Sequence, residues 1–315
     1  MEQHATTISK IINLHIGDSD SVALCFSGGS DSVFLYHLLK QIKVKFVPIV
    51  VNHNLRPNMN LEIQQLLNDY PDLQVIEWDH DGISKNIEGQ AREFRYQAIA
   101  NKCKQLGVSC ALLAHHKNDQ AETLLLNLMR GSNIDGLSAM PTCVNKHGIN
   151  FIRPMLNITK NEIVTACQSN KWPWIEDETN KEHNFKRNHL RYLLEQVIDS
   201  KLLTDRLCST ASAMQKQKLQ SDYLLAEHIA NNAITSTAEI KYPMSKMRTI
   251  PKPLAISLLY NFIATTSTTN KPKPRLQKIN NIYNAFMLES EGKRELQDIA
   301  IIWNDNYVVI KAATI

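Results

Sequence analysis

The chain has 315 residues, of which 43% are hydrophobic and 21% charged, and a formal net charge of +4. That supplies enough apolar material for one full core and a smaller second domain. No apolar run approaches the roughly 20 residues of a membrane-spanning helix, and residues 1–10 are too polar and mixed for a signal segment, so a cytosolic (cytoplasmic) protein with no membrane association is expected.

The first half alternates short apolar runs with amphipathic stretches. Residues 22–26 read as a buried strand after polar Asp18, Ser19, Asp20 and Ser21. A loop follows, then a helix over 33–42, a second strand over 46–51 and a third over 73–78. Residues 110–114 read as a fourth strand, 119–130 as a helix and 151–156 as a fifth strand. Strands alternating with helices predict an α/β domain over residues 1–200, a parallel sheet with helices on both faces. Ligands on such sheets bind beyond the carboxyl ends of the strands.

From residue 201 to 315 the character changes. Residues 204–234 contain no glycine or proline and read as one long helix. Residues 251–264 suit a core helix. Residues 275–287 place Leu276, Ile279, Ile282, Tyr283 and Phe286 on one helical face. The runs 296–303 and 307–310 flank Asn304-Asp305-Asn306, a turn signal. A smaller, mostly helical C-terminal domain ending in a β-hairpin is predicted. Between Lys241 and Leu296 ten Lys or Arg stand against three Glu, a segment suited to a polyanion. The six cysteines, Cys25, Cys103, Cys110, Cys143, Cys167 and Cys208, form no C-x-x-C pair and read as small buried hydrophobes.

Ser27-Gly28-Gly29-Ser30-Asp31-Ser32 lies between the first strand and its helix. That position offers backbone N–H donors and the positive end of a helix dipole. Adjacent glycines let an anion approach the main chain. Asp31 would repel a phosphate unless a cation sits between them, which points to Mg²⁺. The plain alternative is a serine-rich turn with Ser30 or Asp31 as N-cap. The loop is neither a Walker A motif nor a dinucleotide fingerprint.

Further polar clusters follow the strands. His53 and Arg56, in Val51-Asn52-His53-Asn54-Leu55-Arg56, can reach a nucleotide lying across the sheet. Arg95, in the segment 88–96, falls within an apolar arc, facing either a partner anion or the helix edge. The densest cluster, residues 114–123, contains His115, His116, Asn118, Asp119 and Glu122. Asp119 and Glu122 share a helix face. They serve either as caps or as a grip on a positively charged amine. Arg187 and Arg191, one helical turn apart, form either a phosphate-sized clamp or a pair of exposed charges.

S-G-G-x-D-S resembles the loop of the ATP pyrophosphatases, which cleave ATP to AMP and pyrophosphate. With V-N-H-x-L-R, A-H-H-x-x-D-Q-x-E-T, R-G at Arg130-Gly131, E-D-x-T-N at 176–180 and R-N-x-x-R at 187–191, the order resembles a short form of the tRNA(Ile)-lysidine synthetase family. The match spans roughly residues 20 to 195 and is looser beyond 200. Many members carry Asp-Asp where this chain has Asn118-Asp119.

The resemblance implies an adenine nucleotide α-hydrolase-like fold. It implies a ligase that joins L-lysine to carbon-2 of the wobble cytidine of CAU-anticodon tRNA(Ile) through an adenylated intermediate, with ATP and Mg²⁺. On that reading Ser27, Gly28, Gly29, Ser30, Asp31, Ser32, His53 and Arg56 bind ATP, and Asp31 holds Mg²⁺. Asp119 and Glu122 hold the lysine ammonium. Asp31, His115, Arg187 and Arg191 are the catalytic candidates, and the basic second domain grips tRNA. A homodimer is compatible with the sequence. A tRNA-thiolating relative and a non-catalytic RNA-binding module are the competing readings.

Overall fold

In this computed structural model the described residues are 2–16, 21–52, 59–78, 87–176, 186–197, 199–236, 239–267 and 274–313. They form two compact units, Met1–Lys216 and Gln217–Ile315.

The first unit begins with α1 (Glu2–Asn13), β1 (Val22–Cys25), α2 (Ser30–Gln41), β2 (Phe46–Asn52), α3 (Met59–Asp69), β3 (Gln74–Glu77), α4 (Ile87–Leu106) and β4 (Cys110–Leu112). It continues through α5 (Lys117–Met129), the one-turn α6 (Ile134–Leu137), β5 (Cys143–Lys146), β6 (Ile149–Ile152), α7 (Lys160–Ser169), α8 (Lys186–Glu195) and the 33-residue α9 (Ser200–Asn232), within which the unit boundary falls. The sheet order is β3-β2-β1-β4-β6-β5, parallel except for the edge hairpin of β5 with β6. The strand order reverses between β1 and β4, so the loops leaving these two strands open a crevice at the carboxyl edge.

Strand alternation divides the core into two layers. Val22 and Leu24 of β1 pack with α1, α2, α3 and α7, whereas Ala23 packs with Tyr96, Ile99, Ala100 and Cys103 of α4. The expected two-faced α/β sheet is present. Helix α1 adds to the expected elements: Ala5, Ile8 and Ile12 form a sparse stripe at helical spacing and are buried. The strand expected over 151–156 is β6, which ends at Ile152. Pro154, lacking an N–H, cannot extend the ladder.

In the second unit β7 (Ile234–Thr235), β8 (Glu239–Pro243), β9 (Gly292–Leu296), β10 (Ile299–Trp303) and β11 (Tyr307–Ala312) form an antiparallel sheet of order β7-β8-β11-β10-β9. Helices α10 (Met244–Thr249), α11 (Lys252–Thr266) and α12 (Leu276–Leu288) share its core. The expected hairpin is the β10–β11 pair, and the sheet extends beyond it on both sides. At its turn Asn304 Oδ1 accepts from Asn306 N at 2.9 Å and Tyr307 N at 3.0 Å, the side-chain turn that Asn favours. No helix among the described residues is long and apolar enough to cross a membrane.

Candidate active site

The loop after β1 turns on two glycines. Gly28 has φ +79°, a conformation costly for any residue with a Cβ. Gly29 takes the N-cap of α2 without a side chain to fill it, so the positive end of the helix faces the loop. Neither Ser30 nor Asp31 is the cap. Ser32 Oγ accepts from Ser27 N at 3.2 Å and donates to Gly29 O at 3.0 Å, closing the loop on itself. Ile175 N donates to Gly28 O at 2.9 Å and anchors the turn from outside.

The loop after β4 lies across the crevice. His116 forms an isolated bridge with Met155, and Lys117 N donates to Ile158 O at 2.8 Å. Asp119 Oδ2 accepts from His116 N at 2.9 Å, a first-turn capping contact of α5. Asn118 Oδ1 accepts from Lys160 N at 3.0 Å, tying the start of α7 to this loop.

A cavity of about 710 Å³ opens between these loops. Asp31, His116, Asp119, Glu122, Lys160 and Arg191 all line it. His116 Nε2 lies 3.7 Å from Asp31 Oδ2 and 3.6 Å from Asp119 Oδ2, between the two carboxylates. Lys160 Nζ lies 2.6 Å from Asp31 Oδ1. Glu122 is only 1% exposed. It receives Arg191 as a fork, Nε to Oε1 at 2.9 Å and an Nη to Oε2 at 3.3 Å. Burial works against the Arg191 charge, but the hydrogen bonds and charge of Glu122 hold its pKa above the ordinary value.

Of the residues expected from sequence, the structure thus brings Asp31, Asp119, Glu122 and Arg191 into one cavity. Asp119 and Glu122 are buried rather than presented at a surface: Arg191 neutralises Glu122, and His116 N at the start of α5 donates to Asp119. His116, not His115, lines the cavity. Arg95 does not line this cavity. His53, Arg56 and residues 177–180 lie outside the described residues, as does the side chain of Arg187.

Lys160 and Asn118 were not singled out as site residues from the sequence. A signal for Lys160 exists: Thr159-Lys160-Asn161-Glu162 is a capping box that starts α7, with Glu162 Oε2 accepting from Thr159 N at 2.8 Å. It places Lys160 at a helix start but says nothing about which loop that start faces.

Residues 1–198 match the family model described as the PP-loop domain. Among curated proteins, the tRNA(Ile)-lysidine synthase of Wolbachia pipientis wMel is 33% identical over 292 residues, covering 88% of this chain and 67% of that one. The tRNA(Ile)-lysidine synthase of Anaplasma marginale is 28% identical over 287 residues, covering 85% and 60%. The chain therefore spans roughly three fifths to two thirds of the length of these relatives. Among solved structures, the U34-tRNA thiolase NcsA from Methanococcus maripaludis has the same fold, with a TM-score of 0.54 at 14% identity over 68% of this chain and 78% of that one.

Proposed function

This chain belongs to the PP-loop tRNA(Ile)-lysidine synthase family, and we propose that it joins L-lysine to carbon-2 of the wobble cytidine of CAU-anticodon tRNA(Ile), consuming ATP and releasing AMP and pyrophosphate. The observation that carries this reading is a cavity whose wall brings together Asp31 of the loop after β1, the carboxylates of Asp119 and Glu122, and the cations of Lys160 and Arg191. An anionic nucleotide and a cationic amine both find complementary charge there.

In the first step the cytidine O2 bonds to the α-phosphorus of ATP. The bond from that phosphorus to the bridging oxygen breaks, and its electron pair leaves with pyrophosphate. Ser27–Ser32 and the α2 N-terminus hold the departing group. In the second step the lysine ε-amine attacks carbon-2 and the bond to AMP breaks, so the amine must give up protons. Asp119 and Glu122 receive the ammonium, and His116 stands beside Asp119 to take a proton. Arg191 leaves Glu122 for the α-phosphate as lysine takes its place. Arg187 enters the same α8 turn.

The donor chemistry fits Mg²⁺. Asp31 offers hard carboxylate oxygens at the phosphate loop, and this ion is held by one or two carboxylates together with substrate phosphates. When bound it would supply charge neutralisation at those phosphates.

The second unit supports tRNA binding with fewer free charges than the sequence suggests. Lys241, Arg248, Lys293 and Arg294 pair with Glu239, Asp305, Glu295 and Glu289 at 2.7–3.2 Å. Affinity for tRNA should fall with salt, but less steeply than ten phosphate contacts imply. A thiolating activity draws no support from the cysteines: burial pushes the Cys25 thiol up to about 12 and those of Cys103 and Cys167 up to about 11, which keeps them from acting as thiolates.

The test is incubation with CAU-anticodon tRNA(Ile), ATP and labelled lysine. Lysine on the tRNA, with matching AMP and pyrophosphate, is expected. A tRNA whose wobble cytidine is replaced should take none. Folded, ATP-binding protein that transfers no lysine overturns the proposal.

A further inference from the structure

The acid of the phosphate loop already has a cation. Lys160 Nζ donates to Asp31 Oδ1 at 2.6 Å and to Ser30 Oγ at 2.9 Å, two residues at the start of α2. The placement of Lys160 is fixed through its backbone. The Thr159–Glu162 capping box starts α7 at Lys160, and Asn118 Oδ1 accepts its N–H. The side chain is different: it is 41% exposed, on a flexible four-carbon stem, inside the cavity wall. A part-exposed lysine–carboxylate pair is weak and exchangeable. A lysine ammonium is also a general phosphate ligand that acts as a point charge.

We propose that Lys160 is the pyrophosphate-binding cation of this site. It neutralises Asp31 here and turns onto the β- and γ-phosphate oxygens of ATP. The proposal rests on the reading that ATP is cleaved at its α-phosphorus. As the cytidine oxygen bonds to that phosphorus, the electron pair of the broken bond passes to pyrophosphate, and the Lys160 side chain meets the growing negative charge. The opposing view is that Lys160 only balances Asp31.

The two are separated by measuring pyrophosphate and AMP binding independently, by calorimetry on the full chain without tRNA. Lys160→Met should weaken pyrophosphate at least about tenfold and leave AMP within about twofold. Lys160→Arg should recover most of the loss. Equal weakening of both ligands, or of neither, overturns the proposal. A measurement on the unsubstituted protein covers a variant that does not fold: pyrophosphate should shield Lys160 from acetic anhydride, read by peptide mass spectrometry, and AMP should not. Equal labelling of Lys160 with and without pyrophosphate also overturns it. A protein that forms no AMP with any tRNA but still shows pyrophosphate shielding would overturn the functional reading and keep the lysine assignment.

Discussion

Replacing Arg191 by methionine removes the fork on Glu122 while keeping the aliphatic stem. Its cost follows from the unequal exposure of the two partners, 35% for the Arg191 side chain and 1% for that of Glu122. Removing one partner of a fully buried pair costs about 3–5 kcal/mol, and an exposed pair is worth about 0–1 kcal/mol. A half-open arginine over a closed carboxylate falls between, at about 2 kcal/mol for Arg191→Met. Glu122→Gln removes the carboxylate charge, so in the double variant the loss of Arg191 should matter less. The coupling energy of the cycle should be about 1–2 kcal/mol. Urea unfolding followed by tryptophan fluorescence suits the question, because Trp78, Trp172 and Trp174 of the four tryptophans lie in the first unit. With m near the top of its usual ~1–3 kcal/mol/M range, the midpoint for Arg191→Met should fall by about 0.7 M. A coupling energy below about 0.5 kcal/mol would refute the assignment of Arg191 as the charge partner of Glu122.

Gly28→Ala should abolish ATP binding in a nucleotide titration and cost about 1–3 kcal/mol of stability, because φ is +79° and the new Cβ would stand 2.7 Å from Leu66 Cδ1. Trimming Leu66 to alanine relieves the contact but not the backbone strain, so the double variant should recover only part of the binding. Stability should also fall as acid is added through His37, which stacks on Trp172 at 4.1 Å and whose pKa is pushed down to about 4, first by burial and then by Lys40. The unfolded chain then takes up more protons between pH 6.5 and 4, so the contribution of neutral His37 is intact above pH 6.5 and is lost through that window. His37→Phe, which keeps the stack, should flatten the pH profile there by about 1–2 kcal/mol after allowance for partial exposure; an unchanged slope would remove His37 as its source.

The strands themselves and the phosphate loop were legible because both are local. Buried strands show as apolar runs, and Gly28-Gly29 marks a turn that only glycines make easily. The pairing of Asp31 with Lys160 was not legible, since the two are 129 residues apart and meet only because α7 packs against α2. The same distance problem hid the role of Asn118. Read beside Asp119 it resembles a lost carboxylate, yet its Oδ1 accepts the Lys160 N–H at 3.0 Å. An aspartate could accept that bond equally well, so the substitution keeps the anchor and removes one negative charge from the cavity wall. Helical periodicity put Asp119 and Glu122 on a polar arc, but it could not show that α8 returns to cover that arc with Arg191.

The cavity wall is close to charge balance. Asp31, Asp119, Glu122, Glu162 and Asp205 face Lys117, Lys160, Lys201 and Arg191, and Lys117 already meets Asp205 at 2.5 Å. A site for ATP alone would carry an excess of cations, and a site for lysine alone an excess of acids. A nearly balanced wall in which Asp31 and Glu122 each hold an internal cation suits a reaction that takes both an anion and a cation. When phosphates draw Lys160 and Arg191 away, Asp31 and Glu122 become available for a metal ion and an ammonium. Nucleotide binding would then create the lysine site, and lysine affinity measured without ATP should be much weaker than with it.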